Sequence, residues 1–324
     1  MIDKNKEKIE RALSLMQEAY ERLDAHEPAR ARKIGKTLLS MGFSGAYEIL
    51  SLCYLQEGKP EESIKIIKDG LKKMPLAWAL WRHLGNVYCD QEQFLLAHES
   101  YEKALACSGV NPDSINFESA LAFYRERRYP QALDSLEKLS VDAASSSAPL
   151  KASVLNALLR HEEVIDLCSS YCKLSPDLME AQGLSRENIS SLLTEMALAQ
   201  QALSRPKEAL ELLLEAIIWG SDAYTLSKLR EMRKLLSSEA KQFRLTVSGR
   251  WNEPLRDGEE IPAFFRVFQV VADSPDEALE YAKEFEIPQI AESLQIEECI
   301  DQKAVPDVLK GVYEVWGHIF FPKE

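Results

Sequence analysis

The residues best equipped for chemistry are six cysteines and five histidines, and their spacing argues against a metal site or a nucleophile. Cys168 and Cys172 stand four apart in a segment of helical periodicity, so one helix face could present two sulfurs. A tetrahedral zinc site needs two more ligands, and no nearby His supplies the spacing. The pair therefore reads as two small buried hydrophobes. Cys53, Cys89, Cys107 and Cys299 are scattered, and no C-x-x-C pair exists. His26, His83, His98, His161 and His318 form no H-x-x-x-H or H-E-x-x-H array. His318, between Trp316 and Phe320, reads as a histidine on a sheet face. Glu297 and Glu298 are adjacent on a strand and point to opposite faces, so they cannot act as an acid/base pair. There is no G-x-S-x-G, no phosphate-cradling G-x-x-x-x-G-K and no G-x-G-x-x-G. The expectation is a chain that is not an enzyme and carries no cofactor or metal.

Composition narrows the partner. The chain has 324 residues, 46% apolar and 28% charged, which places it among globular proteins with a sizeable core. Its net charge of −13 argues against general binding of nucleic acid or anionic membrane. The start, MIDKNKEKIERALSL, has charges where a signal peptide needs an apolar stretch. Apolar runs fall far short of the roughly 18 residues that span a membrane. These features give a cytoplasmic expectation. Oligomeric state and partner identity are not legible.

Positioning elements come from an internal repeat. From Trp78 onward the chain reads Trp81, Leu84, Gly85, Tyr88, then Ala97, Tyr101 and Ala104. One step of 34 back, a unit from Ser44 has Tyr47, Leu50, Ser51, Tyr54, Ser63, Ile67 and Gly70 in the same slots. Further units start near 10, 113, 145 and 190, six in all. Small residues at paired slots (Gly85 with Ala97, Ala120 with Ala132, Ala197 with Ala209) let two antiparallel helices approach closely. Pro28, Pro60, Pro130 and Pro206 sit where each second helix should begin, a position that needs no N–H. The step from 145 to 190 is longer; the surplus around Leu174–Ser190 predicts a kink or loop, and AASSSA at 143–148 a loose connection. Asp222–Lys241 reads as a capping helix.

These offsets resemble the tetratricopeptide repeat over about residues 10–240. The resemblance implies a mainly α fold, a solenoid of helix hairpins, whose first helices line a groove for another protein or peptide. It assigns to that groove Ala79, Arg82, Asn86, Cys89 and Asp90 of one unit, and Ser114, Phe117, Leu121, Tyr124 and Arg125 of the next. The site is expected at Arg82, Asn86, Asp90, Phe117, Leu121, Tyr124 and Arg125. Arg82 and Asn86 are one helical turn apart and resemble half of the clamp by which some family members hold a chaperone's acidic C-terminus. The next units offer Glu118, Ser146 and Leu150 instead of cations, which disfavours that ligand.

At Gln242 the period changes from helical to alternating. Phe243, Leu245 and Val247 mark one strand and Ala263–Ala272 a second, around a polar turn at Asn252–Glu260. Ser274-Pro275-Asp276-Glu277 opens a helix. Leu294, Ile296 and Ile300 mark a third strand and Val312–Phe321 a fourth. The expected division is therefore 1–240, a repeat array with its cap, and 241–324, a small α+β domain with a ββαββ antiparallel sheet. From Lys241 on, nine Lys/Arg face seventeen Asp/Glu. Glu253, Asp257, Glu259, Glu260, Asp276, Glu277, Glu280, Glu284 and Glu286 could form one acidic surface for a basic client.

The leading expectation is a scaffold that binds a peptide or helix in the groove. The alternatives are an immunity-type inhibitor or chaperone using the acidic surface, and catalysis in the C-terminal domain with the repeats selecting substrate. Catalysis would need a deep pocket with convergent titratable side chains.

Overall fold

A computed structural model describes residues 2–172, 183–251 and 262–321. Six helix pairs run through the described residues: α1 (Ile2–Asp24) with α2 (Pro28–Ser40), α3 (Gly45–Gln56) with α4 (Pro60–Lys73), and α5 (Trp78–Asp90) with α6 (Phe94–Leu105). α7 (Pro112–Arg125) pairs with α8 (Tyr129–Leu136), α9 (Val141–Ala157) with α10 (His161–Cys172), and α11 (Arg186–Ala202) with α12 (Pro206–Trp219).

The same turn joins each pair. Three residues separate the two helices, and the middle one is left-handed: His26, Gly58, Glu92, Arg127, Leu159 and Ser204 all have positive φ. In each turn the following N–H closes on a carbonyl five residues back, as in Lys59 to Tyr54 and Gln93 to Tyr88. Pro28, Pro60 and Pro206 then stand first in their helices. Gly85 faces the ring of Tyr101, where a Cβ would come within 2.4 Å, so the small residue sets how closely α5 and α6 pack.

The chain divides into two compact units, Met1–Ala144 and Ser145–Glu324. In the first, Ala12, Leu38 and Ile49 centre one cluster, and Ile67, Leu80, Tyr88 and Ile115 another. In the second, Leu213 and Ile217 of α12 share a core with Leu226 and Leu229 of α13 (Ala223–Arg233) and with Phe243, Leu245, Phe264 and Phe268 of the sheet. The step from helix to strand at 240/241 therefore falls inside the second unit.

The sheet contains β1 (Lys241–Arg250), β2 (Ala263–Ala272), β3 (Gln295–Ala304), β4 (Gly311–Val315) and β5 (Ile319–Phe321). The order is β3-β1-β2-β4, all antiparallel, with β5 also on β2. Phe243, Leu245 and Val247 alternate inward as their pattern requires. α14 (Pro275–Lys283), N-capped by Ser274, buries Ala278 and Ala282; a single turn, α15 (Pro288–Ala291), follows.

Several expectations need correction. The run 143–148 is helical, inside α9, because Ser140 Oγ accepts the Ala143 N–H at the helix start and alanine favours helix. The first, fifth and sixth units begin at Ile2, Val141 and Arg186. The capping helix stops at Arg233, where Lys234 turns left-handed at φ 52°, and it buries Leu226 and Leu229. The fourth strand is two strands. Phe268 pairs with Val315 and Phe265 with Ile319, so three residues, 316–318, stand opposite two and bulge. The polar turn Asn252–Glu260 and residues 173–182 of the longer connection lie outside the described residues.

Candidate functional site

The first helices of consecutive pairs carry the expected groove residues, and hydrogen bonds join them from helix to helix. On α5, Arg82 Nη1 donates to Ser114 Oγ of α7 at 2.9 Å, and Nη2 lies 3.9 Å from Glu48 of α3. The guanidinium also lies 5.8 Å from the Trp78 ring centre. One turn on, Asn86 Nδ2 donates to Glu118 Oε1 at 3.1 Å and its Oδ1 accepts the Tyr101 hydroxyl at 2.8 Å. At the helix end, Arg125 Nη1 donates to Asp90 Oδ1 at 2.8 Å and touches Cys89 Sγ. Phe117 and Leu121 are half-buried, and Tyr124 sits 5.7 Å from the Tyr129 ring.

The seven residues thus divide by their freedom. Arg82 and Asn86 are half-buried and committed to joining α5 to α7. Asp90 and Arg125 are an exposed ion pair that a partner's charges can exchange with. Phe117, Leu121 and Tyr124 add partly exposed apolar surface on α7. Glu118, where a carboxylate clamp would need a cation, is itself the acceptor for Asn86.

Burial tunes the groups behind this face. It pushes Glu48 up, against the pull of Arg82, and the Tyr20 hydroxyl up to about 12, with Glu48 adding to the shift. The hydrogen bond that Arg125 donates to Asp90 raises its own pKa. Beneath, Ser51 Oγ lies 2.7 Å from His83 Nε2 and 2.6 Å from Ser63 Oγ. That is a nucleophile–base distance, yet Ser51 is fully buried and no substrate can reach it. Burial holds His83 down to about 4.

The second unit holds a cluster that sequence reasoning missed. Arg266 of β2, Glu286 after α14 and His318 in the bulge meet in a cleft of about 610 Å³. Arg266 Nη1 donates to Glu286 Oε1 at 2.6 Å, and His318 Nε2 lies 2.8 Å from the same oxygen. The bulge makes this contact: it turns the Trp316 carbonyl toward Arg266 Nε at 3.1 Å and seats His318 against Trp251 and Phe264. His318 is therefore not a regular sheet-face residue. Its signal was Arg266, one charge in the apolar run AFFRVFQVVA.

Among the described residues, three of the expected acidic side chains are drawn into local pairs. Glu286 is buried in the cleft, Glu277 pairs with Lys310 at 2.7 Å, and Arg233 holds both oxygens of Glu284. Glu253, Asp257, Glu259 and Glu260 lie outside the described residues. Cys168 is buried and Cys172 half-buried, and burial raises both thiols, Cys172 to about 11. Among the described residues no group of His, Cys, Asp and Glu could hold a metal, and no helix is long and apolar enough to cross a membrane.

No protein-family model and no curated protein matches the chain. Solved structures do, and the neighbours are tetratricopeptide proteins. PilF of Pseudomonas aeruginosa superposes with a TM-score of 0.51 at 14% identity, over 70% of this chain and 98% of that one. A chain of the APC/C Cut9–Hcn1 hetero-tetramer gives 0.50 at 14% identity, over 68% of this chain but only 42% of its own length. YrrB, a TPR protein with an unusual peptide-binding site, gives 0.42 at 16% identity over 60% of this chain. The helical part of the chain thus has the tetratricopeptide fold, and the C-terminal part is unmatched.

Proposed function

We propose that the chain is an interaction scaffold that holds a peptide or helix of another protein against α5 and α7. The fold is one that serves protein–protein interaction. The observation that carries the reading is the composition of this one face: half-buried Phe117, Leu121 and Tyr124 run beside the exposed Asp90–Arg125 pair. Apolar anchors flanked by exchangeable charge suit a partner segment presenting apolar side chains at helical or extended spacing. The Cut9–Hcn1 assembly is a neighbour found in complex with another chain, which fits such a role.

The test selects peptides from a displayed random library on the full chain and measures the tightest by calorimetry. Tyr124→Ala with Arg125→Ala is expected to weaken that peptide tenfold or more while the melting temperature holds. Equal affinity would overturn the assignment to this face. Arg82→Ala is a poorer probe, because it removes the bond to Ser114 and leaves the half-buried Glu48 without its cation.

A further inference from the structure

We propose that the cleft around Arg266, Glu286 and His318 binds an organic carboxylate with an apolar body. The pocket is built before any ligand arrives. The side chains of Arg266, Glu286 and His318 are 10%, 4% and 19% exposed, and each is fixed by at least one short hydrogen bond. Placing an ion pair so deep costs several kcal/mol in desolvation, by order of magnitude, and a cavity of about 610 Å³ beside it is the size of a small-molecule site.

The unused valences point to an anion. Among the described residues, Arg266 donates through Nε to the Trp316 carbonyl and through Nη1 to Glu286 and the Phe285 carbonyl, leaving Nη2 without a bond. At the mouth, Arg186 donates through Nε and Nη2 to the carbonyls of Trp219 and Ile218, leaving Nη1. The lining holds two guanidiniums against one carboxylate, so it is net positive in a chain whose net charge is −13. A guanidinium edge is the natural mate of a carboxylate. Trp251, Phe285, Ile217 and Ile290 supply the wall for an apolar or aromatic body. The carboxylate belongs either to a free small acid or to the terminus of a peptide ending in an apolar residue; the recognition chemistry is the same.

Calorimetry on the full chain tests this with 3-phenylpropionate, its uncharged amide, and a tripeptide ending in Phe with a free or an amidated terminus. The acid or the free-terminus tripeptide is expected to bind at millimolar concentration or better, and the matching amide at least tenfold more weakly. Binding of the acid assigns a small-molecule source; binding of the tripeptide alone assigns a chain terminus. Arg186→Met, at the exposed mouth, is expected to weaken binding about tenfold. Glu286→Gln keeps the shape and removes the negative charge, so it is expected to tighten binding. Failure of both charged probes to bind, amides binding equally, or weaker binding by Glu286→Gln would each overturn the proposal. These outcomes leave the helix-face reading untouched, because that face lies in the other compact unit.

Discussion

Single residues carry two consequences that bulk stability measurements can read. His83 is held down to about 4 in the folded chain, against an ordinary 6.5. The folded state then binds fewer protons than the unfolded state between those values. Stability present above pH 6.5 is lost as pH falls toward 4, by up to about 3 kcal/mol. Urea unfolding at pH 7.5, 6 and 5 should show the decline, and His83→Gln should flatten it even though it lowers stability at pH 7.5. An unchanged slope in the variant would reject His83 as the cause. Arg266→Met should cost about 3–5 kcal/mol, since it strands a buried carboxylate, and the loss is read from the same denaturant midpoints. The two residues differ in legibility. His83 was visible only as one of five scattered histidines, because its partner Ser51 is 32 positions away. Arg266 is the one charge in an apolar strand, a signal the sequence reading passed over, and nothing local named Glu286 or His318.

At the scale of elements, each hairpin turn needs one left-handed residue, and Gly58 alone of the six is glycine. Leu159 is 77% exposed with φ 60°, so its side chain contributes little packing while its backbone is strained. Leu159→Gly is expected to stabilise by about 0.5 kcal/mol, the strain relieved less the added chain entropy. A lower melting temperature in that variant would contradict the argument. The helix pairs themselves were readable, because Pro28, Pro60 and Pro206 punctuate them and the Trp78 unit sets the period. Helix ends were less so. Ser140 and Lys234 decide where α9 starts and α13 stops through a cap and a left-handed turn, and neither leaves a periodic trace. The bulge at 316–318 was invisible for the same reason: Val312–Phe321 alternates well enough to read as one strand.

For the molecule as a whole, the compact units place a limit on how the chain can be cut. Leu213, Ile217, Leu226 and Leu229 share a core with Phe243 and Phe268. A fragment of residues 241–324 would expose that sheet face, and circular dichroism is expected to show it unfolded, whereas 141–324 should melt cooperatively. A folded, monomeric 241–324 would contradict the shared core. The composition break at 241 was legible because the side-chain period changes there; the shared core was not, because contacts between α12 and the sheet leave no pattern in either segment. The same holds for the helix face. Its residue positions followed from the repeat, but the bonds that commit Arg82 and Asn86 and leave Asp90 and Arg125 exchangeable needed coordinates. The central claim is that this face grips a partner. A photoreactive phenylalanine analogue replacing Leu121 on α7, and in a second protein Leu105 on α6, tests it with the tightest selected peptide. Cross-linking from position 121 and not from 105 is the predicted result; cross-linking from 105 and not from 121 would contradict it.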